Sequence, residues 1–296
     1  MVNIILDDMG ALPGDLVMDP FMGSGTTALV CQMRGINSVG FDIMPISTVS
    51  IKAKANVMRY KIEEIESMLD EFLKLSLPAG YSRTTAYIAI TDTAYPEFNE
   101  KFIQFSTEWI TASNYSNEAK NLFTLCMINS LERCSYTWKS RQYLSWDSRA
   151  KKVQHVNEER TAAGRKLLPE QQVRKVIENI QEAVGNELRH VISDISIIQS
   201  QGVVKTSASI DFRQNSVLFE LPTMPDNCLK GVITSPPYCN RYDYTRTYAL
   251  ELVYLGLGEK EIKQMRQDLL SCTVESKSKI DVLRNFYKKH WCCLSL

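Results

Sequence analysis

Apolar positions along the chain follow two different spacings. A short run at Leu16, Val17 and Met18 ends in Asp19 and a glycine-rich turn, which predicts a strand. Residues 26–34 predict a helix that Gly35 stops, and residues 38–43 predict a second strand. Residues 52–75 then predict one amphipathic helix, with Ile62, Ile65, Met68, Leu69 and Phe72 at helical spacing. This β–α–β–α order over residues 1–77 predicts an α/β fold with a parallel sheet and right-handed crossovers.

The alternation stops at residues 78–205, which read as mainly helical. Residues 117–133 predict a buried helix, carrying Leu122, Phe123, Leu125, Cys126, Ile128 and Leu131. Residues 168–198 predict a long amphipathic helix with Pro169 at its start, where proline is tolerated. Residues 206–296 return to strand character. An apolar run at 229–234 leads into Ser235-Pro236-Pro237-Tyr238, and helices are predicted over 245–255 and 259–270.

Composition narrows the class. The chain has 296 residues, 44% hydrophobic and 23% charged, with 34 basic and 34 acidic side chains. That is ordinary globular composition, with enough length for a sizeable core. Zero net charge excludes a wholesale basic protein but not a local basic face. Between Lys139 and Lys175 ten basic side chains stand against four acidic ones. The stretch also carries Tyr143 and Trp146, with Tyr136 and Trp138 at its start. No apolar run is long enough for a transmembrane helix, and the first twelve residues lack the pattern of a secretory signal. Eight scattered cysteines form no CxxC pair, which predicts reduced thiols and a cytoplasmic location. The three histidines show no metal-ligand spacing, so no metal is expected.

Two motifs carry chemistry. In Asp19-Pro20-Phe21-Met22-Gly23-Ser24-Gly25-Thr26-Thr27, the glycines permit a tight turn and a close ligand approach. The helix that follows offers free N–H groups. Asp42 ends the next strand and suits ribose hydroxyls. The turn could be purely structural, or a dinucleotide site, since Gly23, Gly25 and Ala28 fit G-x-G-x-x-A loosely. A P-loop is excluded, because no Gly-Lys-Ser/Thr follows. Asp19 disfavours a pyrophosphate and favours a cationic ligand such as S-adenosylmethionine, with its sulfonium and amino group. In the second motif, Pro236 and Pro237 remove two backbone donors and fix two φ angles. Nearby carbonyls can then accept from an amino group, and Tyr238 offers a π face for a flat base. The alternative is a rigid loop with a core tyrosine. If the two motifs end neighbouring strands, a methyl donor and a flat amino-bearing acceptor meet there.

The pair resembles the amino-methylating DNA methyltransferases, which modify cytosine N4 or adenine N6. Asp19 to Thr27 resembles their cofactor motif, and Thr234-Ser235-Pro236-Pro237-Tyr238 their catalytic motif. Residues 240–252, and the stretches 135–137 and 146–149, are similar to a subgroup of these enzymes. The resemblance implies a Rossmann-like, doubly wound methyltransferase sheet with a mainly helical insertion. Residues 1–77 would be the cofactor-binding half, 78–205 the insertion and candidate target-recognition region, and 206–296 the catalytic half. It implies S-adenosylmethionine as cofactor, held by Asp19, Pro20, Phe21, Gly23, Ser24, Gly25, Thr26, Thr27 and Asp42. Ser235, Pro236, Pro237 and Tyr238 would act on a base flipped out of double-stranded DNA. The base stacks near Tyr238, and its amino group donates to Ser235 and the Pro236 carbonyl. The serine form of the motif points to cytosine N4. A C5-cytosine mechanism is excluded, because no Pro-Cys dipeptide exists.

Phosphate contacts are assigned to Lys139, Arg141, Arg149, Lys151 and Lys152, the alternative being a solvated loop. Arg241 and Arg246 follow the catalytic motif and are further candidates; the alternative is an ion pair with Asp243 or Glu251. Asp211 is the candidate contact for the cofactor's adenine. Only 18 residues precede Asp19 and 58 follow Tyr238. The resemblance calls for a cofactor segment before the first motif and further strands after the second. The expectation is therefore a truncated chain, or one completed by a second chain. The rival readings are an adenine-N6 enzyme, an RNA methyltransferase, and a non-catalytic DNA-binding subunit.

Overall fold

A computed structural model describes residues 1–82, 87–140, 143–168, 174–205, 207–235 and 243–269, with 284, 285, 287 and 288. Its described strands are β1 (Leu16–Asp19), β2 (Asn37–Phe41), β3 (Thr137–Lys139), β4 (Leu144–Trp146), β5 (Ile210–Arg213) and β6 (Gly231–Val232). Four of them form one parallel sheet in the order β5-β2-β1-β6. Strands β3 and β4 make a separate antiparallel hairpin. The order is compatible with a Rossmann-like sheet, in which ligands bind beyond the carboxyl ends of the strands.

The strands obey the alternation rule. Val17 faces helices α1 (Val2–Asp8) and α2 (Thr26–Met33), packing with Leu6, Cys31, Ile36 and Ile233. Met18 faces the other way and packs with Val39 and Phe41. β6 lies beside β1, with Val17 opposite Gly231 and Met18 opposite Val232. The strands that lead into the two motifs are thus neighbours.

A larger core fills the helical part. Phe72 on α4 (Ile62–Lys74) lies 5.8 Å from the Phe102 ring on α5 (Glu97–Ala112). It lies 5.2 Å from the Phe123 ring on α6 (Asn117–Leu131). α6 is the predicted buried helix, with Leu122, Phe123, Cys126, Met127 and Leu131 in this core. α8 (Ile180–Gln201) packs along α4 and α6. Among the described residues, no helix is long and apolar enough to cross a membrane.

The structure departs from the predicted elements in several places. Residues 52–75 are not one helix. α3 (Pro45–Ala55) ends before a 3₁₀ turn, Val57–Arg59, and α4 starts at Ile62. Tertiary bonds hold this break: the Tyr60 hydroxyl donates to the Ala53 carbonyl, and Gln199 Nε2 donates to the carbonyls of Val57 and Tyr60. The long helix predicted from 168 begins only at Ile180, where the Asn179 side chain accepts from the N–H groups of Gln181 and Glu182. Pro169 lies outside the described residues. The basic, aromatic stretch forms the β3–β4 hairpin and α7 (Ser148–Ala162), capped by the Asp147 side chain. A short α9 (Val217–Glu220) follows β5, and the run at 229–234 pairs only at Gly231 and Val232. The helix predicted over 245–255 divides into α10 (Tyr244–Thr247) and α11 (Ala249–Tyr254), followed by α12 (Glu259–Asp268).

Asn99 ties the helical part together. It is buried, donates to the carbonyls of Cys134 and Glu178, and accepts from the Ile180 N–H. Asn99→Ala strands these buried groups and is expected to destabilise the fold by about 3 kcal/mol. Urea denaturation checks this; a loss below about 1 kcal/mol would contradict it.

Candidate functional site

The first motif is folded by its own hydrogen bonds. Asp19, at the end of β1, accepts from Thr27 Oγ1 at 2.6 Å and from the Phe21 N–H at 3.1 Å. The Met22 N–H reaches back to the Phe41 carbonyl at 2.9 Å. Gly25 caps α2 at φ +86, and a Cβ there would meet Ile51 Cγ1 at 2.7 Å. Asp42 accepts from the Gly23 N–H at 2.9 Å and the Met44 N–H at 2.8 Å. The turn and the end of β2 are thereby locked together.

Two cavities flank that lock. The first, of about 180 Å³, is lined by Pro20, Phe21, Gly23, Asp42, Ile43 and Met44 on one side. Asn215, Ser216, Val217, Ser235, Tyr244 and Leu269 complete it. The second, of about 520 Å³, shares Gly23, Asp42, Met44 and Tyr244 with the first. It runs past Ser24 and Lys54 to Glu132, Lys139, Tyr248 and Glu251.

Burial raises the pKa of both Asp19 and Asp42 above the ordinary 3.8, because a charged carboxylate is penalised there. Hydrogen bonds pull each back: Thr27 and then Phe21 for Asp19, and Met44, Gly23 and Ser47 for Asp42. A raised carboxylate pKa favours the folded state below the ordinary value and loses that contribution as pH rises through the raised one. Both groups therefore carry a folding cost at neutral pH, and a ligand that donates to a carboxylate offsets it.

The predicted site residues divide by position. Pro20, Phe21, Gly23, Ser24 and Asp42 line the cavities, and Ser235 reaches the first. Asp19 and Thr27 bond each other and brace the turn, while Gly25 and Thr26 start α2. Pro236, Pro237, Tyr238, Arg141 and Arg241 lie outside the described residues. Arg149, Lys151 and Lys152 are exposed on α7. Lys139 is not on that surface: it pairs with the buried Glu251 at 2.5 Å and covers the Tyr248 ring at 4.5 Å. Arg246 pairs with Asp243 at 3.3 Å, the alternative weighed from sequence. Asp211 pairs with Arg213 at 2.7 Å. The cavity wall after β5 is made instead by Asn215, Ser216 and Val217, which the sequence reading missed. Their signal was position alone, since they follow a strand of the same sheet.

Comparison with known proteins places the chain beside DNA methyltransferases. A family model described as DNA methylase matches residues 1–49. The Type II methyltransferase M.BsoBI of Geobacillus stearothermophilus is 41% identical over 287 residues, covering 97% of this chain and 56% of that protein. The Type II methyltransferase M.AvaI of Nostoc is 33% identical over 285 residues, covering 94% and 56%. The Type II methyltransferase M.MjaII of Methanocaldococcus jannaschii is 29% identical over 121 residues, covering 38% and 22%. The chain thus spans a little over half the length of the first two relatives. No solved structure matches it.

Gly25→Ala combines a left-handed φ with the Ile51 contact. It is expected to cost about 2 kcal/mol. Urea denaturation measures this, and an unchanged midpoint would refute the strained cap.

Proposed function

The chain belongs to the amino-methylating DNA methyltransferase family, and from that premise we propose that it methylates the N4 amino group of cytosine in double-stranded DNA. One observation carries the reading: β6 runs parallel beside β1, so Ser235 opens on the cavity that Gly23 and Asp42 line. Enzymes of this family take the methyl group from S-adenosylmethionine, whose sulfonium makes that methyl electrophilic.

The residues present fit this donor. Phe21, Ile43 and Val217 give the first cavity apolar walls suited to a flat purine. Asp42 uses one lone pair of each oxygen on backbone N–H groups and a third on the Ser47 hydroxyl, and keeps one for a ribose hydroxyl. A Cβ built at Gly23 meets no atom within 4 Å, so the turn leaves open space beside the cavity.

In the proposed mechanism the chain mainly positions. Ser235 and the Pro236 carbonyl accept the two amino hydrogens and aim the nitrogen lone pair at the methyl group. Tyr238 stacks on the flipped base and holds its plane. Alignment of the reacting atoms supplies the rate: the nitrogen–methyl bond would form as the sulfur–methyl bond breaks, the surplus amino proton would pass by way of the Ser235 hydroxyl to solvent, and no covalent enzyme intermediate forms. The serine in Ser235-Pro236-Pro237-Tyr238 favours cytosine over adenine. Arg149, Lys151 and Lys152 project from one helix and supply phosphate contacts that weaken with salt.

Mass spectrometry of nucleosides from DNA treated with the protein tests this directly. N4-methylcytosine is expected; N6-methyladenine alone would reassign the base, and methylated RNA alone would reassign the substrate. Tyr238→Ala is expected to lower turnover roughly 10- to 100-fold, on the scale of one lost base stack, with little change in donor affinity. Unaltered turnover would remove the stacking role.

Asp42 gives a pH signature. Its raised pKa means that it protonates at a higher pH than an ordinary carboxylate. Donor affinity should therefore begin to fall above the ordinary carboxylate range as pH is lowered. Calorimetric titrations across that range check it, and an affinity that stays flat would take Asp42 out of the ribose contact.

A further inference from the structure

The second cavity ends in charges that methyl transfer to DNA leaves unused. Lys139 Nζ lies 2.5 Å from Glu251 Oε1 and 3.8 Å from Glu132 Oε2. Glu251 is 1% exposed, and among the described residues its Oε2 has no hydrogen-bond partner. Burying a carboxylate with one oxygen unbonded is costly. Lys139 and Glu132 are more open, with side chains 26% and 36% exposed. One cation and two carboxylates therefore stand together at one end of a cavity whose other end is the glycine turn.

That arrangement matches a small zwitterion. An α-amino-carboxylate carries one ammonium and one carboxylate on a single carbon. Lys139 would take the carboxylate, and Glu132 with Glu251 would take the ammonium. The cavity also shares Gly23, Asp42, Met44 and Tyr244 with the nucleoside cavity, so one molecule can occupy both. A flipped base fits less well. It is uncharged, and the Tyr248 ring already lies under Lys139.

We propose that Lys139, Glu132 and Glu251 bind the amino-acid end of S-adenosylmethionine, so that the β3–β4 hairpin and α11 complete the donor site. This rests on the donor reading above. Lys139 is then a donor contact and not a phosphate contact.

Calorimetry with the full 296-residue chain tests it, using S-adenosylmethionine, S-adenosylhomocysteine and 5′-methylthioadenosine, which lacks the amino-acid end. The double variant Lys139→Met/Glu251→Gln removes both charges together and leaves no unpaired buried carboxylate. Glu132→Gln is a milder second variant on a more open side chain. Both are expected to weaken the first two ligands by tenfold or more while 5′-methylthioadenosine stays within twofold. Equal affinity of variant and parent for S-adenosylmethionine would overturn the proposal. So would an equal loss for all three ligands in both variants. Unchanged donor affinity with a lost 2-aminopurine signal at the target base would assign the cavity to the flipped base instead. Failure of the unaltered chain to bind any of the three would strike the donor reading itself, which separates the two ideas.

Discussion

The site depends on a position that carries no side chain. Gly40 pairs with Asp19 across β1 and β2, and a Cβ there would lie 2.8 Å from the Asp19 carbonyl oxygen and collide with Met22. With glycine in place, Met22 folds over β2 and its N–H bonds Phe41. That closure brings the Gly23 N–H to Asp42 and starts α2 where Thr27 can return to Asp19. Remove the close approach and both cavities lose their common wall.

The second organising element is the helical core. It joins Met44 and Ala53 of α3 to Phe72, Phe102 and Phe123, and continues to Leu250, Leu252 and Ile262. The helix that follows the second motif is therefore packed into the same core as the region between the two motifs. Glu251 lies between Leu250 and Leu252 and pairs with Lys139 at one end of the second cavity. Asp243 caps α10 and also pairs with Arg246 and Arg266. The described chain beyond the second motif is thus fixed by apolar packing and by charge at once.

Local order determined what could be read from sequence. β1, α2 and β2 follow from short-range signals: an apolar run, a glycine turn and a helix stop. The break at residues 56–61 had no such signal, because Gln199 holds it from far along the chain. Residues 174–178 belong to the predicted helix but lie outside α8, whose start is set by the Asn179 cap. Strands β3 and β6 are too short to show a period of two. Lys139 looked like one of a basic set, because its partner stands 112 residues away. A lone carboxylate in a sequence carries no sign of its partners, so the bonds from Thr27 and Phe21 to Asp19 appear only in the fold. The Ser235 position beside the glycine turn was anticipated from the rule that ligands gather where neighbouring parallel strands end.

The pairing of β1 with β6 also sets an order in time. Val17 meets Gly231, so β1 waits for more than two hundred residues before one of its edges is covered. Its β2 neighbour forms early, yet β2 itself waits for β5 at Ile210. Pairings of such long sequence separation slow folding and leave open strand edges meanwhile. A ribosome releasing this chain therefore exposes β1 and β2 as an unfinished ribbon until the second motif has nearly emerged.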